Sequence, residues 1–138
     1  MKKFEFLDHT ADAKFLSYGE SLEDAFSNAA LAMFSIITET HKVRSRVEKS
    51  IKISSAKKET LLYDFLEELI FFIDTESFLL HAVKSMRIVQ DGDYTLVATV
   101  IGDTDKYEIF THVKAVTYSD MFIKEEKNLV TIQVVLDL

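Results

Sequence analysis

The chain has 138 residues, of which 48% are hydrophobic, and this is enough apolar material for one buried core and argues against intrinsic disorder. It contains no cysteine, so a disulfide framework, a thiolate zinc site and a cysteine nucleophile are excluded. Its formal net charge of −7 argues against a broad nucleic-acid-binding face, because phosphates would on average be repelled. The same charge suits a basic protein partner or a site for a divalent cation, and equally suits plain solubility.

The N-terminus has no apolar stretch long enough for a signal peptide, since charged residues follow at Glu5 and Asp8. The longest purely apolar run, 69–73, is far shorter than a membrane span. We therefore expect a cytoplasmic protein that does not enter the membrane. Because no repeat, linker or proline interrupts the chain, we also expect a single domain over 1–138.

The first third of the chain predicts two short strands and a helix. Apolar and charged residues alternate at 3–6, and a second extended stretch covers 14–18, with a polar loop between them. Ser21 has the character of a helix N-cap, because its hydroxyl can accept from the backbone three residues on. A helix is expected from there to about Thr38, with one apolar face formed by Leu22, Ala25, Phe26, Ala29, Met33, Phe34 and Ile37.

The middle of the chain predicts a strand and a second amphipathic helix. Apolar residues alternate with charged ones from Val47 to Ile53. The helix is expected from about Lys58 to Asp74, and its apolar stripe consists of Leu61, Leu62, Phe65, Leu66, Leu69, Phe72 and Ile73. Both helices must therefore cover something apolar.

The remainder of the chain predicts strands. The segments 83–89 and 94–101 flank Asp91-Gly92, which is a strong hairpin signal. Three further strands are expected at 113–118, 121–124 and 129–138. Together these patterns predict a two-layer α+β domain, in which two amphipathic helices pack on a mostly antiparallel β-sheet. The residues expected to be buried are Phe26, Phe34, Phe65, Leu69 and Ile132.

Several common catalytic motifs are missing from the sequence. It has no Gly-rich phosphate loop, dinucleotide fingerprint, nucleophile elbow or paired-histidine helix motif. The four histidines are scattered along the chain, and we interpret His41, His81 and His112 as surface or hydrogen-bonded residues rather than as metal ligands.

The polar loop 8–12, Asp-His-Thr-Ala-Asp, is the most distinctive segment near the N-terminus. Its simplest interpretation is a turn in which the Asp and Thr side chains bond nearby backbone groups. If Asp12 instead lay beside Asp137 and the terminal carboxylate of Leu138, the three negative charges would have to take up protons or a cation. Oxygen-only ligands favour magnesium, calcium or manganese over zinc. Spacing alone does not bring residues 12 and 137 together.

These residues also resemble a known family. Similarity to the archease family covers essentially the whole chain, in order and at matching spacing. It is carried by the loop 8–12, by Tyr18-Gly19 and the alanine-rich first helix, by Asp74-Thr75-Glu76, by the segment 113–118 (Val-Lys-Ala-Val-Thr-Tyr), and by the Asp137-Leu138 ending.

The resemblance implies a function and a site. Archeases are small accessory proteins, not enzymes, that activate the RtcB-type tRNA-splicing RNA ligase by promoting its GTP-dependent guanylylation and its turnover. A divalent metal is then expected at Asp12, Asp137 and Leu138, and tRNA is expected to be met only indirectly, through the ligase. Lys114 on its strand is a candidate for contact with the partner or with a nucleotide phosphate, as are His9 and Asp8, although an ordinary exposed lysine is an equally good interpretation of Lys114.

Two alternatives remain beside the ligase activator. One is a general chaperone or a modulator of an RNA-modifying methyltransferase, and the other is a metal-dependent hydrolase. A hydrolase would need a general base and a group that stabilises the developing charge, and only Lys114 and His9 suggest themselves. The chain departs from the usual family pattern at Phe110, His112 and Ser119, so a contact with the ligase is expected to differ there.

Overall fold

The structure is a computed structural model that describes residues 1–8 and 12–138. Four antiparallel strands form the first sheet, called sheet A here, in the order β1-β2-β7-β6. Their bounds are Phe4–Leu7 for β1, Ala13–Gly19 for β2, Ala115–Glu126 for β6 and Leu129–Asp137 for β7. Since β2 and β7 are central, the second strand and the last strand of the chain lie side by side in this sheet.

A second antiparallel sheet, sheet B, contains the other three strands in the order β3-β5-β4. The bounds are Val47–Ser55 for β3, Leu79–Asp91 for β4 and Asp93–Asp103 for β5. The β4-β5 hairpin turns at Gly92, whose φ of 74° lies in the left-handed region that glycine adopts without strain. Gly102 is required for another reason: an added Cβ would lie 1.9 Å from the carbonyl oxygen of Leu79.

The first helix, α1, runs from Leu22 to Ile37 and contacts strands of both sheets. It begins at Ser21, whose side-chain oxygen accepts from the backbone N–H of Asp24 at 3.1 Å, as the sequence predicted. Acidic residues in the first turn add to this stabilisation because the helix N-terminus is partially positive.

The second helix, α2, runs from Lys58 to Glu76 and ends at Ser77, which adopts a left-handed conformation. It contacts β6 at the edge of sheet A and β3 at the edge of sheet B, so it covers the seam between the sheets. Phe65 of α2 stacks on Phe26 of α1 with ring centroids 6.3 Å apart. The two helices therefore share one core with the inner faces of both sheets.

The predicted α+β class with two helices and antiparallel strands is confirmed, and all five residues expected in the core are fully buried. The strands divide into two sheets rather than forming one. The segments expected as separate strands at 113–118 and 121–124 lie in the single strand β6, except that residues 113 and 114 precede it; β6 bulges between Thr117 and Phe122. β4 starts four residues earlier than expected, directly after the turn at Ser77.

Candidate functional site

One end of sheet A brings the start of β2 beside the end of β7. Ala13 of β2 lies opposite Leu136 of β7, and Asp12 and Asp137 are each one residue further along in the same direction. In an antiparallel pair, side chains at opposite positions share a face, with Cβ atoms about 4.5–5.5 Å apart. Continued by one residue, this register would place Asp12 opposite Asp137, but Asp12 itself lies in a bend outside β2, so the convergence of the two carboxylates stays a prediction.

Asp137 is exposed, and its backbone is held in place by β6. Ala115 lies opposite Asp137, and the backbone N–H of Lys114 donates to the carbonyl oxygen of Asp137 at 2.8 Å. Main-chain pairing on both sides of β7 thus fixes the position of Asp137 without using its carboxylate.

Leu138 ends the chain one residue after β7. Its side chain is partly buried against the hydrophobic core, whereas Asp137 is exposed, which continues the alternation of the strand. Burial of this side chain anchors the chain end beside Asp137. The metal ligand expected at Leu138 stays a prediction.

Side chains alone do not make a complete metal cage here. Within the ranges 1–8 and 12–138, no group of three or more Asp, Glu or His side chains lies close enough together to hold an ion. Asp12, Asp137 and the chain terminus provide carboxylate oxygens only, the ligand type that hard divalent cations prefer. The residues thus fit a magnesium, calcium or manganese ion that keeps several water ligands.

The other predicted contact residues lie at the same end of the sheet, with one exception. Asp8 is exposed and directly follows β1, whose last residue, Leu7, lies opposite Lys14 of β2. Lys114 is exposed, and its backbone contacts Asp137. His9 falls outside the described residues. Lys14 forms an ion pair with Asp120 at 3.5 Å, so this lysine has a carboxylate partner of its own on the same sheet.

A stacked pair of tyrosines was missed by the sequence reasoning. The rings of Tyr63 on α2 and Tyr118 on β6 lie 4.3 Å apart at an angle of 9°. Beside them, a carboxylate oxygen of Glu67 accepts from the backbone N–H of Val116 at 2.8 Å. Burial, and then the nearby charge of Glu67, raises the pKa of Tyr63. The two tyrosines are far apart in sequence, so no local pattern signals such a stack.

A polar network around Asp103 at the end of β5 was also missed. The Tyr107 hydroxyl donates to the buried Asp103 carboxylate at 2.6 Å, and the same hydroxyl accepts from the backbone N–H of Arg44. The hydrogen bond from Tyr107 is the main reason that the pKa of Asp103 lies below its usual value. This network ties the segment after β5 to the segment before β3, and we regard it as structural.

The histidines in the described part of the chain do not gather. His41 lies 3.5 Å from Glu39 on the surface, and His112 is exposed. The ring nitrogen Nδ1 of His81 is buried without a hydrogen-bond partner among the described residues. His81 lies at an irregularity of the β4-β5 register, between Leu80 and Ala82.

Two positions that depart from the family pattern lie outside regular strand pairing: Phe110 precedes β6, and Ser119 lies within an irregular part of β6. The backbone N–H of Phe110 donates to the carbonyl oxygen of Ile37 at 2.7 Å, while the residue as a whole is 51% exposed. Ser119 lies in the bulge of β6.

In the described chain, no helix is long and apolar enough to cross a membrane.

Comparison with known proteins identifies relatives along the whole chain. The model of the Archease protein family (MTH1598/TM1083) matches residues 4–138. The protein named "Protein archease" from Methanothermobacter thermautotrophicus is 44% identical, with complete coverage of both chains. The protein of the same name from Pyrococcus furiosus is 39% identical, covering 90% of this chain and 89% of its own.

Solved structures agree with these sequence matches. The solution structure of Methanobacterium thermoautotrophicum protein 1598 superposes with a TM-score of 0.85 at 42% identity, over 100% of both chains. A crystal structure from Thermotoga maritima, described as an archease and possible chaperone, gives a TM-score of 0.66 at 22% identity, over 96% of this chain and 94% of the other. The second match shows the fold alone.

Proposed function

We propose, from the premise that this chain belongs to the archease family, that it activates an RtcB-type tRNA-splicing RNA ligase. It promotes GTP-dependent guanylylation and turnover of the ligase by means of a divalent metal ion held at the end of sheet A. The observation that supports this proposal is the register of β2 and β7, in which Ala13 lies opposite Leu136, so that Asp12 and Asp137 are the next residues along the two strands.

Each residue of the site has a distinct role in this proposal. Asp12 and Asp137 supply the charged oxygens, and the partly buried side chain of Leu138 keeps the terminal carboxylate beside them. Such an ion, when bound, supplies positive charge that stabilises phosphate oxygens during nucleotide transfer. Lys114, whose backbone is bonded to Asp137, supplies a second cation that does not depend on the metal.

An activator differs from an enzyme in what the site must contain. The carboxylates and Lys114 lie on an exposed end of a sheet, not in an enclosed cleft. Such a site can be presented to the active centre of a larger partner, which supplies the nucleophile and the base. The net charge of −7 makes direct gripping of tRNA unfavourable, so the RNA is met through the ligase.

The test is guanylylation of the cognate ligase with GTP, at a ratio of about one copy of this protein per twenty ligase molecules, the regime in which a reusable activator exceeds one turnover per copy. We expect the number of guanylylated ligase molecules to exceed the number of added copies of this protein. If guanylylation never exceeds one ligase molecule per added copy, the protein is a stoichiometric stabiliser and the proposal is wrong. The same assay without the ligase checks for any GTP-consuming activity of the protein itself.

A general chaperone is the second candidate, because the related protein from Thermotoga maritima is described as a possible chaperone. This function predicts suppression of aggregation for an unrelated client such as thermally unfolded citrate synthase. We expect no suppression at equimolar ratio. Suppression that persists in Asp12→Ala would favour the chaperone function, because shielding of unfolded clients does not require the metal ligands.

A further inference from the structure

A second surface lies on the solvent side of α2, away from the carboxylates of sheet A. Its α2 residues repeat at intervals of three and four and therefore share one face of the helix. We call it the α2 outer surface, and it consists of Tyr63, Asp64, Glu67, Glu68 and Phe71 of α2 together with Tyr118 of β6. Its two edges are β6 and β3, the edge strands of the two sheets.

The aromatic residues of this surface are unusually open to solvent. Tyr118 is 52% exposed and Phe71 is 55% exposed. Tyr63 covers one face of the Tyr118 ring at 4.3 Å, which fixes the orientation of a ring that is still half exposed. A flat aromatic ring held in this way is a ready platform for a guanidinium group, which stacks on aromatic faces.

The acidic residues of this surface lack counter-charges. In the described part of the chain, Asp64, Glu67 and Glu68 take part in no ion pair, whereas Glu76 at the end of α2 is paired with Lys49. Glu67 uses one oxygen to accept from Val116 and leaves the other available. Lys58, in the first turn of the helix, is bonded to Glu125.

The same carboxylates line a surface recess. Its volume is about 400 Å³, and it is bounded by Ile53, Ser54, Asp64, Glu67, Glu68 and Phe71. It thus combines an apolar wall with uncompensated negative charge. Within residues 1–8 and 12–138, these side chains do not form a cluster suited to a metal ion. The complementary occupant is therefore a basic side chain with an apolar stem or neighbour.

We propose that the α2 outer surface docks a basic segment of a protein partner, whose arginine stacks on Tyr118 and pairs with Asp64 and whose apolar side chain contacts Phe71. Arginine suits this position better than lysine because its planar group both stacks and pairs with a carboxylate. A nucleic acid is disfavoured because three unpaired carboxylates repel phosphate. Only the identity of the partner, the RNA ligase, rests on the proposed function.

The surface lies beside the candidate metal site without sharing its residues. Tyr118 is three residues from Ala115, the residue opposite Asp137, which is roughly 10 Å along a strand. Val116 and Tyr118 face the α2 side of β6, whereas Ala115 and Asp137 face the other side. The surface and the candidate metal site therefore share β6 but use opposite faces of it.

The first experiment measures the affinity of the purified ligase for the full chain and three variants at low and at moderate salt. Asp64→Lys/Glu68→Lys and Tyr118→Ala are each expected to weaken binding roughly tenfold, as loss of a central contact does. The control Asp91→Lys, at the exposed tip of the β4-β5 hairpin, carries the same charge change per residue and is expected to bind like the wild type. Unfolding curves check that the variants are folded, and Asp64→Asn/Glu68→Gln replaces the charge reversal if they are not.

The second experiment does not need the ligase. The chain labelled with ¹⁵N is titrated with N-acetyl-arginine amide, with the isosteric but neutral citrulline derivative as the control. We expect arginine-specific shifts at residues 63–71 and 118, which disappear in Tyr118→Ala. Shifts that are spread over the chain, equal for citrulline, or replaced by binding of guanosine monophosphate would overturn the proposal.

The two experiments separate the possible failures. Localised arginine binding without any ligase binding would contradict the proposed function and leave the docking surface standing. Ligase binding that is equal in all variants would overturn the α2 outer surface as the docking site and leave the proposed function standing.

Discussion

Replacing Asp137 by Asn should change the stability of this protein in opposite directions with and without a divalent metal. The substitution keeps the size of the side chain and the backbone hydrogen bonds of β7. It removes one negative charge from the place where the register directs Asp12 and where the chain ends. Repulsion is therefore relieved in the metal-free protein, and one charged ligand is lost in the metal-bound protein.

The magnitudes follow from general values for such pairs. Relief of a like-charge pair across two strands is worth about 0.2–1 kcal/mol. For a domain of 138 residues, about 1 kcal/mol corresponds to roughly 4 °C in melting temperature. The Asp137→Asn variant should thus melt about 1–4 °C higher than the wild type in a chelator. A metal at one hundred times its dissociation constant stabilises the wild type by about 2.7 kcal/mol, or roughly 10 °C.

The assay is thermal unfolding of both proteins in a chelator and in series of magnesium, calcium and manganese concentrations. The expected result is a crossing: the variant is more stable without metal and less stable at high metal. The control substitution Asp91→Asn lies far from the chain end and should leave the metal response unchanged. If the melting temperature of the wild type does not respond to any of the three metals, or if the variant responds equally, the reasoning about converging carboxylates is refuted.

Three further predictions concern the fold. Phe65→Ala should lower the free energy of unfolding in urea by about 3–5 kcal/mol, because Phe65 is fully buried against Phe26, whereas the exposed Phe71→Ala should change it by less than about 0.5 kcal/mol; equal losses would contradict the core assignment. Gly102→Ala should cost up to about 3 kcal/mol by the same measurement, since its Cβ would collide with the backbone of Leu79; a neutral result would show that the strands separate easily. Tyr107→Phe should destabilise the protein at neutral pH, and this loss should shrink as the pH falls below the ordinary Asp value of 3.8, because the lowered pKa of Asp103 contributes stability above that value and loses it on acidification. Urea unfolding at pH 7 and about pH 3 checks the sign, and a loss of stability that grows in acid would contradict it.

Local patterns predicted the elements of this fold well. Ser21 predicted the start of α1, and Asp91-Gly92 predicted the β4-β5 turn, because an N-cap and a tight turn depend on neighbouring residues only. The bulge in β6 was mistaken for a break between two strands. Asp120 has a φ of 54° there, and from sequence a polar residue in a left-handed conformation looks like a turn.

Long-range arrangement was much less accessible from the sequence. The division into two sheets depends on which strands pair, and α2 closes the seam between β6 and β3 only once those pairings exist. The same holds for the candidate site. Asp12 and Asp137 are 125 residues apart, and only the resemblance to a family indicated that they belong together, whereas the register of β2 and β7 supplies the physical reason. Neither the local sequence pattern nor the resemblance to the family indicated the Tyr63–Tyr118 stack.

The central claim is that carboxylates at the end of sheet A hold a metal ion through which the ligase is activated. It is tested most directly by guanylylation of the ligase with substoichiometric Asp12→Ala, beside wild type, deletion of Leu138 and the matched surface variant Asp91→Ala. We expect Asp12→Ala to lose stimulation at every magnesium, calcium and manganese concentration while its unfolding curve stays close to that of the wild type, and we expect Asp91→Ala to stimulate fully. Full stimulation by Asp12→Ala would contradict the account, and Lys114 would then become the residue to test.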